Sequence, residues 1–314
     1  MTPTEFWQNF QLGAEQEIAC NFIYDGLRNL HEMDTLSLET EVFPVLYDLS
    51  VGLERLLKVV VVLLEFDEHT DVGALEKSLI THNHLELLNR VREKADINLG
   101  DAHTELLNLL AKFYKTHRYD RFSLQSVYDL SKDKKALHTF LHKHLQIEVT
   151  EGIFGVSNSL QVKRFIGRVI KKITKQLYAI VQKEAMAKNI YTYEISSSSS
   201  KAAKVLWGND DILFEDEDMA MVEIFIFLMK TKDSGLIDLI RTIKPLELDS
   251  ALSSEYFQFM LKKRTDYTSM IMEEIEARYE ELDRPGERQQ MIEAIKDPSI
   301  TFEESDESES SPMG

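Results

Sequence analysis

The chain has 314 residues, 43% apolar and 29% charged, with a net charge of −18. This excludes a low-complexity or collagen-like chain and suffices for two domains, or for one large helical body with an appendage. Its 12 glycines and 6 prolines are few for a fold of many short strands, and its single cysteine, Cys20, excludes an internal disulfide and a cysteine-based zinc site.

Glu5, Glu15 and Glu17 interrupt the first residues, so no signal peptide is expected. The longest apolar run, Val59 to Leu64, falls far short of the roughly 20 residues needed to cross a bilayer. A cytoplasmic protein without membrane contact is the expectation.

A first helix is predicted over residues 3–30, opened by Thr2-Pro3-Thr4-Glu5 and carried by Phe6, Phe10, Ala14, Ile18 and Phe22. Gly13 and Gly26 inside it are expected to mark close helix packing. A second helix over 41–65 has a wide apolar face through Val45, Leu49, Leu53, Leu56, Leu57, Val60 and Leu63. Glu54 and Lys58 lie four apart on it and read as a solvated ion pair. The third helix is predicted over 73–95 with Thr81-His82-Asn83-His84 inside it, the two histidines read as packed or hydrogen-bonded. The fourth runs from Asp101 to about Arg118. Four such helices with short connections predict an antiparallel bundle.

A fifth helical piece, 123–145, is basic through Lys132, Lys134, Lys135 and Lys143. His138 and His142 are four apart, yet no carboxylate completes a metal set, so neither metal nor cofactor is expected. The next helix, 160–188, carries an apolar stripe (Val162, Ile166, Val169, Ile173, Leu177, Ile180) beside a basic one (Arg164, Arg168, Lys171, Lys172, Lys175). Residues 191–209 read as a linker or short hairpin, and 210–300 as an acidic helical region that opens on a solvated helix start. Within that region helices are predicted at Met219–Met229 and Ser250–Leu282. Residues 301–314 read as a disordered acidic tail. The overall expectation is all-α: an N-terminal bundle with the basic helix over 1–190, then the linker and the smaller acidic part.

Charge is unevenly spread. Between Lys112 and Ile190 there are 16 Lys and Arg against 6 Asp and Glu, a local charge of +10, so the rest of the chain carries −28. A local field of that kind steers a polyanion whatever the total charge. At its head lies the end of the fourth helix, Phe113 to Phe122, which crowds His117, Arg118, Arg121 and the aromatics Tyr114, Tyr119 and Phe122 together. Guanidinium groups clamp phosphate oxygens bidentately and aromatic faces stack bases. The alternative is a helix terminus whose cations answer the helix dipole. For the basic stripe, the alternative is an acidic protein surface, the chain's own tail in a dimer included.

Gly52-Leu53-Glu54-Arg55-Leu56-Leu57-Lys58, His82-Asn83-His84-Leu85-Glu86-Leu87-Leu88 and Arg118-Tyr119-Asp120-Arg121-Phe122 together resemble the HEPN superfamily (higher eukaryotes and prokaryotes nucleotide-binding). The resemblance covers about residues 1–145. It implies a helical bundle, a homodimer and a toxin–antitoxin or phage-defence setting. It also implies metal-independent endoribonuclease chemistry built on an Arg followed four to six residues later by a His. Carried over, Arg118 or Arg121 is the arginine, while His117 and Tyr119 are the nearby proton-transfer candidates. The His at the downstream spacing is absent, and members without the pattern serve as binding or scaffold modules. No Gly-rich phosphate loop, dinucleotide fingerprint or nucleophile elbow is present.

Overall fold

A computed structural model describes residues 7, 11–67, 69–117, 124, 132–146, 156–190, 200–208, 211–231, 235–261 and 268–297. The fold is all-α, with thirteen α-helices among the described residues and, beside them, one isolated antiparallel bridge between Thr35 and Ser157. The chain forms two compact units, Met1–Phe214 and Glu215–Gly314.

In the first unit, α1 (Leu12–Glu32) and α2 (Glu39–Glu65) pack side by side. Their contacts run antiparallel, Arg55 bonding Glu15 near one end and Asn29 Nδ2 donating to Asp48 at 3.1 Å toward the other. Glycine permits the approach. A Cβ at Gly52 would lie 2.6 Å from Ile23 Cγ1 and 2.8 Å from the Ala19 carbonyl oxygen, and one at Gly26 would lie 3.0 Å from Leu49 Cγ. Leu53, Leu56, Leu57, Val60 and Leu63 of α2 are all fully buried, at about 1.5–3 kcal/mol each. Val59, Val61 and Val62 are buried as well. From Val59 to Leu63 every residue is buried, so α2 is apolar on every side there and is the central helix of the unit.

The third predicted helix is two helices. α3 (Val72–Ser78) stops short, and α4 (His84–Lys94) starts anew with the Asn83 side chain accepting from the Glu86 amide. A short polar side chain here satisfies an amide that the helix start leaves open, so the chain breaks at Leu79–Asn83. His84 anchors α4, its buried Nε2 donating to the Ser50 carbonyl of α2 at 2.8 Å. Burial pushes the His84 pKa below its ordinary value, only partly offset by that hydrogen bond. The unfolded chain therefore binds a proton near pH 6.5 that the folded chain refuses. Stability should fall as pH drops below about 6.5, by up to about 1.4 kcal/mol per pH unit. Urea midpoints between pH 7.5 and 5.5 check this, and the slope should flatten in His84→Gln.

α5 (Asp101–Lys112) continues into a π turn, Phe113–His117. α6 (Lys132–Leu145) is the fifth predicted piece, and α7 (Leu160–Ala187) has almost the predicted bounds, its start capped by the Ser159 hydroxyl. Part of the stretch read as linker or hairpin is helix: α8 (Ser200–Leu206) packs on α1 and α7. It rests on Gly167, Lys171, Thr174 and Tyr178, one stripe of α7 at i, i+4, i+7 and i+11. Gly167 lets the Ile212 backbone come close, Thr174 Oγ1 donates to the Val205 carbonyl at 2.9 Å, and Tyr178 meets Trp207 edge-on.

The second unit contains α9 (Glu215–Lys230), α10 (Gly235–Thr242), α11 (Ser253–Leu261), α12 (Thr268–Glu280) and α13 (Pro285–Lys296). Glu215 to Asp218 occupy the first turn of α9, where carboxylates answer the positive end of the dipole. Ile237 and Ile271 are its only buried hydrophobics among the described residues. The predicted helix over 250–282 comprises a short 3-10 turn (Ser250–Leu252), α11 and α12, while α10 and α13 are additions to the reading from sequence. Residues 191–199 and 298–314 lie outside the described residues.

Candidate functional site

Two features of the first unit carry side chains suited to binding or chemistry: a cleft against α2 and one face of α7.

The cleft has a volume of about 390 Å³ and is walled by α1, α2, the loop before α4 and the π turn. Trp7, Leu12, Val59 and Val62 line it with apolar surface, and Glu15, Glu54, Arg55, Lys58, His82 and Tyr114 bring polar groups. Glu54 is the centre of the polar set. Only 6% of it is exposed, and both carboxylate oxygens are held: Oε1 accepts from Lys58 Nζ at 2.6 Å, and Oε2 lies 3.0 Å from His82 Nδ1. A buried carboxylate is tolerable only with such partners. The Glu54–Lys58 pair thus forms as predicted, but inside the protein rather than in solvent. The His82 imidazole is 49% exposed and tilts over the Tyr114 ring at 4.8 Å. Arg55 pairs with Glu15, each about a third exposed.

Tyr114 comes from the π turn, a form found mostly as single wide turns at functional sites. Its neighbour Phe113 is buried edge-on against Phe43 and fixes the turn to α2. His117 closes the turn, with its side chain outside the described residues, and Arg118, Tyr119 and Arg121 lie wholly outside them.

On α7, Arg164, Arg168 and Lys172 are exposed at i, i+4 and i+8, so they share one face, and Lys175 is half-buried. Arg168 Nε lies 3.7 Å from Asp211 Oδ2, an exposed pair worth well under about 1 kcal/mol. Lys171 does not belong with them. It is 1% exposed, and its ammonium donates to the carbonyls of Lys204 at 2.8 Å, Val205 at 3.2 Å and Trp207. Those carbonyls end α8, where no intrahelical donor reaches them, so the lysine caps a helix from below. The basic stripe read from the sequence therefore loses Lys171.

Two further histidines make polar contacts within the fold. His138 Nε2 lies 3.0 Å from the Leu36 carbonyl, and His144 Nε2 lies 2.9 Å from Glu105, which also takes Lys143 at 2.5 Å. No group of three metal-ligating side chains gathers among the described residues. Cys20 is buried, and its pKa is pushed up to about 12, by burial first and the Glu17 charge second, so the thiol stays protonated. No helix of the described residues is long and apolar enough to cross a membrane.

The sequence reading missed Glu54 and His82 as a unit. One signal was available: Glu54 sits three residues before Leu57 and seven before Val61, so it shares a face with buried apolar residues as well as with Lys58. In comparisons with protein-family models, curated proteins and solved structures, nothing matches this chain.

Proposed function

We propose that this chain is a nucleic-acid-directed helical protein of the HEPN kind, working in the cytoplasm of a bacterium as a homodimer in a defence or stress system. RNA lies along the exposed face of α7, with His117, Arg118, Tyr119 and Arg121 assigned to its phosphates. In this reading the protein is an atypical, metal-independent endoribonuclease. The observation that carries it is the cationic face of Arg164, Arg168 and Lys172, three charges about 6 Å apart along one helix face. Each turn adds a cation and no carboxylate, since Glu184 is the sole acid between Leu160 and Ala187. Such a row is costly to assemble unless an anion relieves it, and phosphates do so with release of counterions.

Fluorescence anisotropy with a labelled single-stranded RNA at several salt concentrations tests the reading. Arg164→Gln, Arg168→Gln and Lys172→Gln combined should flatten the log–log salt slope by about 2 and weaken binding at least about tenfold at 0.1 M salt. An unchanged slope removes α7 from the interface.

A second reading, a non-catalytic interaction module, draws on α9. Met219, Ile224, Phe227 and Met229 of that helix are all exposed, an amount of apolar side chain unusual for one surface helix. In that case the acidic second unit recruits a partner protein and the chain cuts nothing.

A further inference from the structure

The second unit is apolar where water reaches it and nearly bare of a core. Ile237 and Ile271 are its only buried hydrophobics among the described residues, whereas Met219, Ile224, Ile226, Phe227, Leu228 and Met229 of α9 are all exposed. We propose that α9 docks a cationic amphipathic helix of another protein. This rests on the interaction reading of the second unit given above, adds the chemistry of the partner, and is independent of what the first unit does.

Both faces of α9 are apolar. Ile224, Phe227 and Leu228 fall on one face at i, i+3 and i+4, while Met219, Ile226 and Met229 fall on the opposite one. Phe227 is 63% exposed and Met229 69%. Phe225, between the two faces, packs edge-on against Phe257 of α11 at 5.2 Å. A helix apolar on every side belongs inside a protein. Sixteen residues with five carboxylates cannot be a bilayer span, so its cover is protein. The ties among the other helices are polar: Tyr256 of α11 donates to Glu274 of α12 at 2.6 Å, and Arg288 of α13 donates to the Lys244 carbonyl.

Charge selects the occupant. From Glu215 to Gly314 there are 25 Asp and Glu against 11 Lys and Arg, a net charge of −14, and α9 alone has five acids against one base, Lys230. A second copy of the chain would set like charge against like, and nucleic acid or an anionic lipid surface would be repelled. A cationic segment is instead drawn in, and Glu223, exposed one turn before Phe227, stands beside the Ile224–Phe227–Leu228 face to meet it. No strand among the described residues offers an edge to an extended peptide, so the partner is a helix laying its own apolar stripe on that face. The same mixture recurs along the chain: exposed Met270 and Met272 lie within a turn of exposed Glu273, and Met291 within a turn of Glu293. Flexible, polarisable thioethers suit a surface that must adapt to a partner.

The experiment uses the full chain and a fluorescein-labelled amphipathic peptide of leucine and lysine, with a leucine–glutamate peptide of the same pattern and an oligolysine of the same charge as controls. The leucine–lysine peptide should bind saturably at one per chain and gain helical circular dichroism. Raising salt from about 0.1 to about 0.5 M should weaken it several-fold. Ile224→Ser with Phe227→Ser, two exposed positions whose replacement leaves the fold intact, should weaken it at least about tenfold and leave RNA affinity unchanged. Oligolysine should bind at least about tenfold more weakly than the leucine–lysine peptide and ignore the double variant. Equal binding of the leucine–glutamate peptide or of oligolysine, or indifference of the leucine–lysine peptide to the double variant, overturns the cationic helix as occupant. So does a dimer in analytical ultracentrifugation that the double variant dissociates, which would put a second copy on α9 and keep the interaction reading. If neither peptide binds and Nile red fluorescence is the same with wild type and double variant, α9 is covered within its own chain and the interaction reading falls as well.

Discussion

Replacing Gly52 with leucine is expected to leave the first unit without a cooperative unfolding transition. The reason lies in what the glycine faces. A Cβ there meets the Ala19 carbonyl oxygen at 2.8 Å and the Ile23 amide nitrogen at 2.9 Å, and these are backbone atoms that cannot rotate aside. Relief requires α1 and α2 to move apart, which opens the most extensive helix pair of the unit and the leucines that line it. Overpacking usually costs about 1–3 kcal/mol when neighbours can adjust; here they cannot, and at least about 3 kcal/mol is expected even for alanine. Thermal unfolding followed by circular dichroism reads the effect. Gly286→Ala provides the contrast, since nothing lies within 4 Å of a Cβ at that position and its change should stay within about 0.5 kcal/mol.

The second large effect is expected at Lys171. Alanine at this position removes the one ammonium that meets the carbonyls of Lys204, Val205 and Trp207, and leaves a void where a long side chain lay fully buried. Buried acceptors stripped of a charged donor cost about 1–3 kcal/mol each, and although the Val205 carbonyl keeps Thr174 Oγ1, those of Lys204 and Trp207 lose this donor, so α8 should detach from α7. Trp207 reports this directly, because it packs edge-on against Tyr178 at 5.7 Å. In a Trp7→Phe background it is the sole tryptophan of the chain, and its emission should shift to the red in Lys171→Ala. Emission that stays at the wild-type wavelength would mean that the cap contributes nothing to docking.

Lys171 also shows where residue patterns stop speaking for structure. The apolar stripe of α7 was plain because Val162, Ile166, Val169, Ile173 and Leu177 repeat at the helical period, and the capping Ser159 marks its start. The second buried stripe, Gly167, Lys171, Thr174 and Tyr178, contains little apolar surface. It becomes interior only because α8 returns to cover it from about thirty residues away. The break at Leu79–Asn83 was hidden for a similar reason: Leu79, Ile80, Leu85 and Leu87 fit a helical period well enough to suggest one element, and the Asn83 cap overrides them locally. At the site, Glu54 and Lys58 declared a pair by spacing. Their burial, and the arrival of His82 from another element, depend on packing that spacing does not encode. Arg118 and Arg121 remain an expectation from sequence, whereas Tyr114, which precedes them, stands in the cleft.

RNA is proposed to occupy the first unit along the exposed face of α7. Photo-crosslinking of the full chain to a single-stranded RNA carrying 4-thiouridine, with the crosslinked peptides mapped by mass spectrometry, tests it most directly. The expected result is crosslinks in the peptides that contain Arg164 to Lys172, competed away by unlabelled RNA. Crosslinks confined to the second unit, or none that unlabelled RNA displaces, would contradict it.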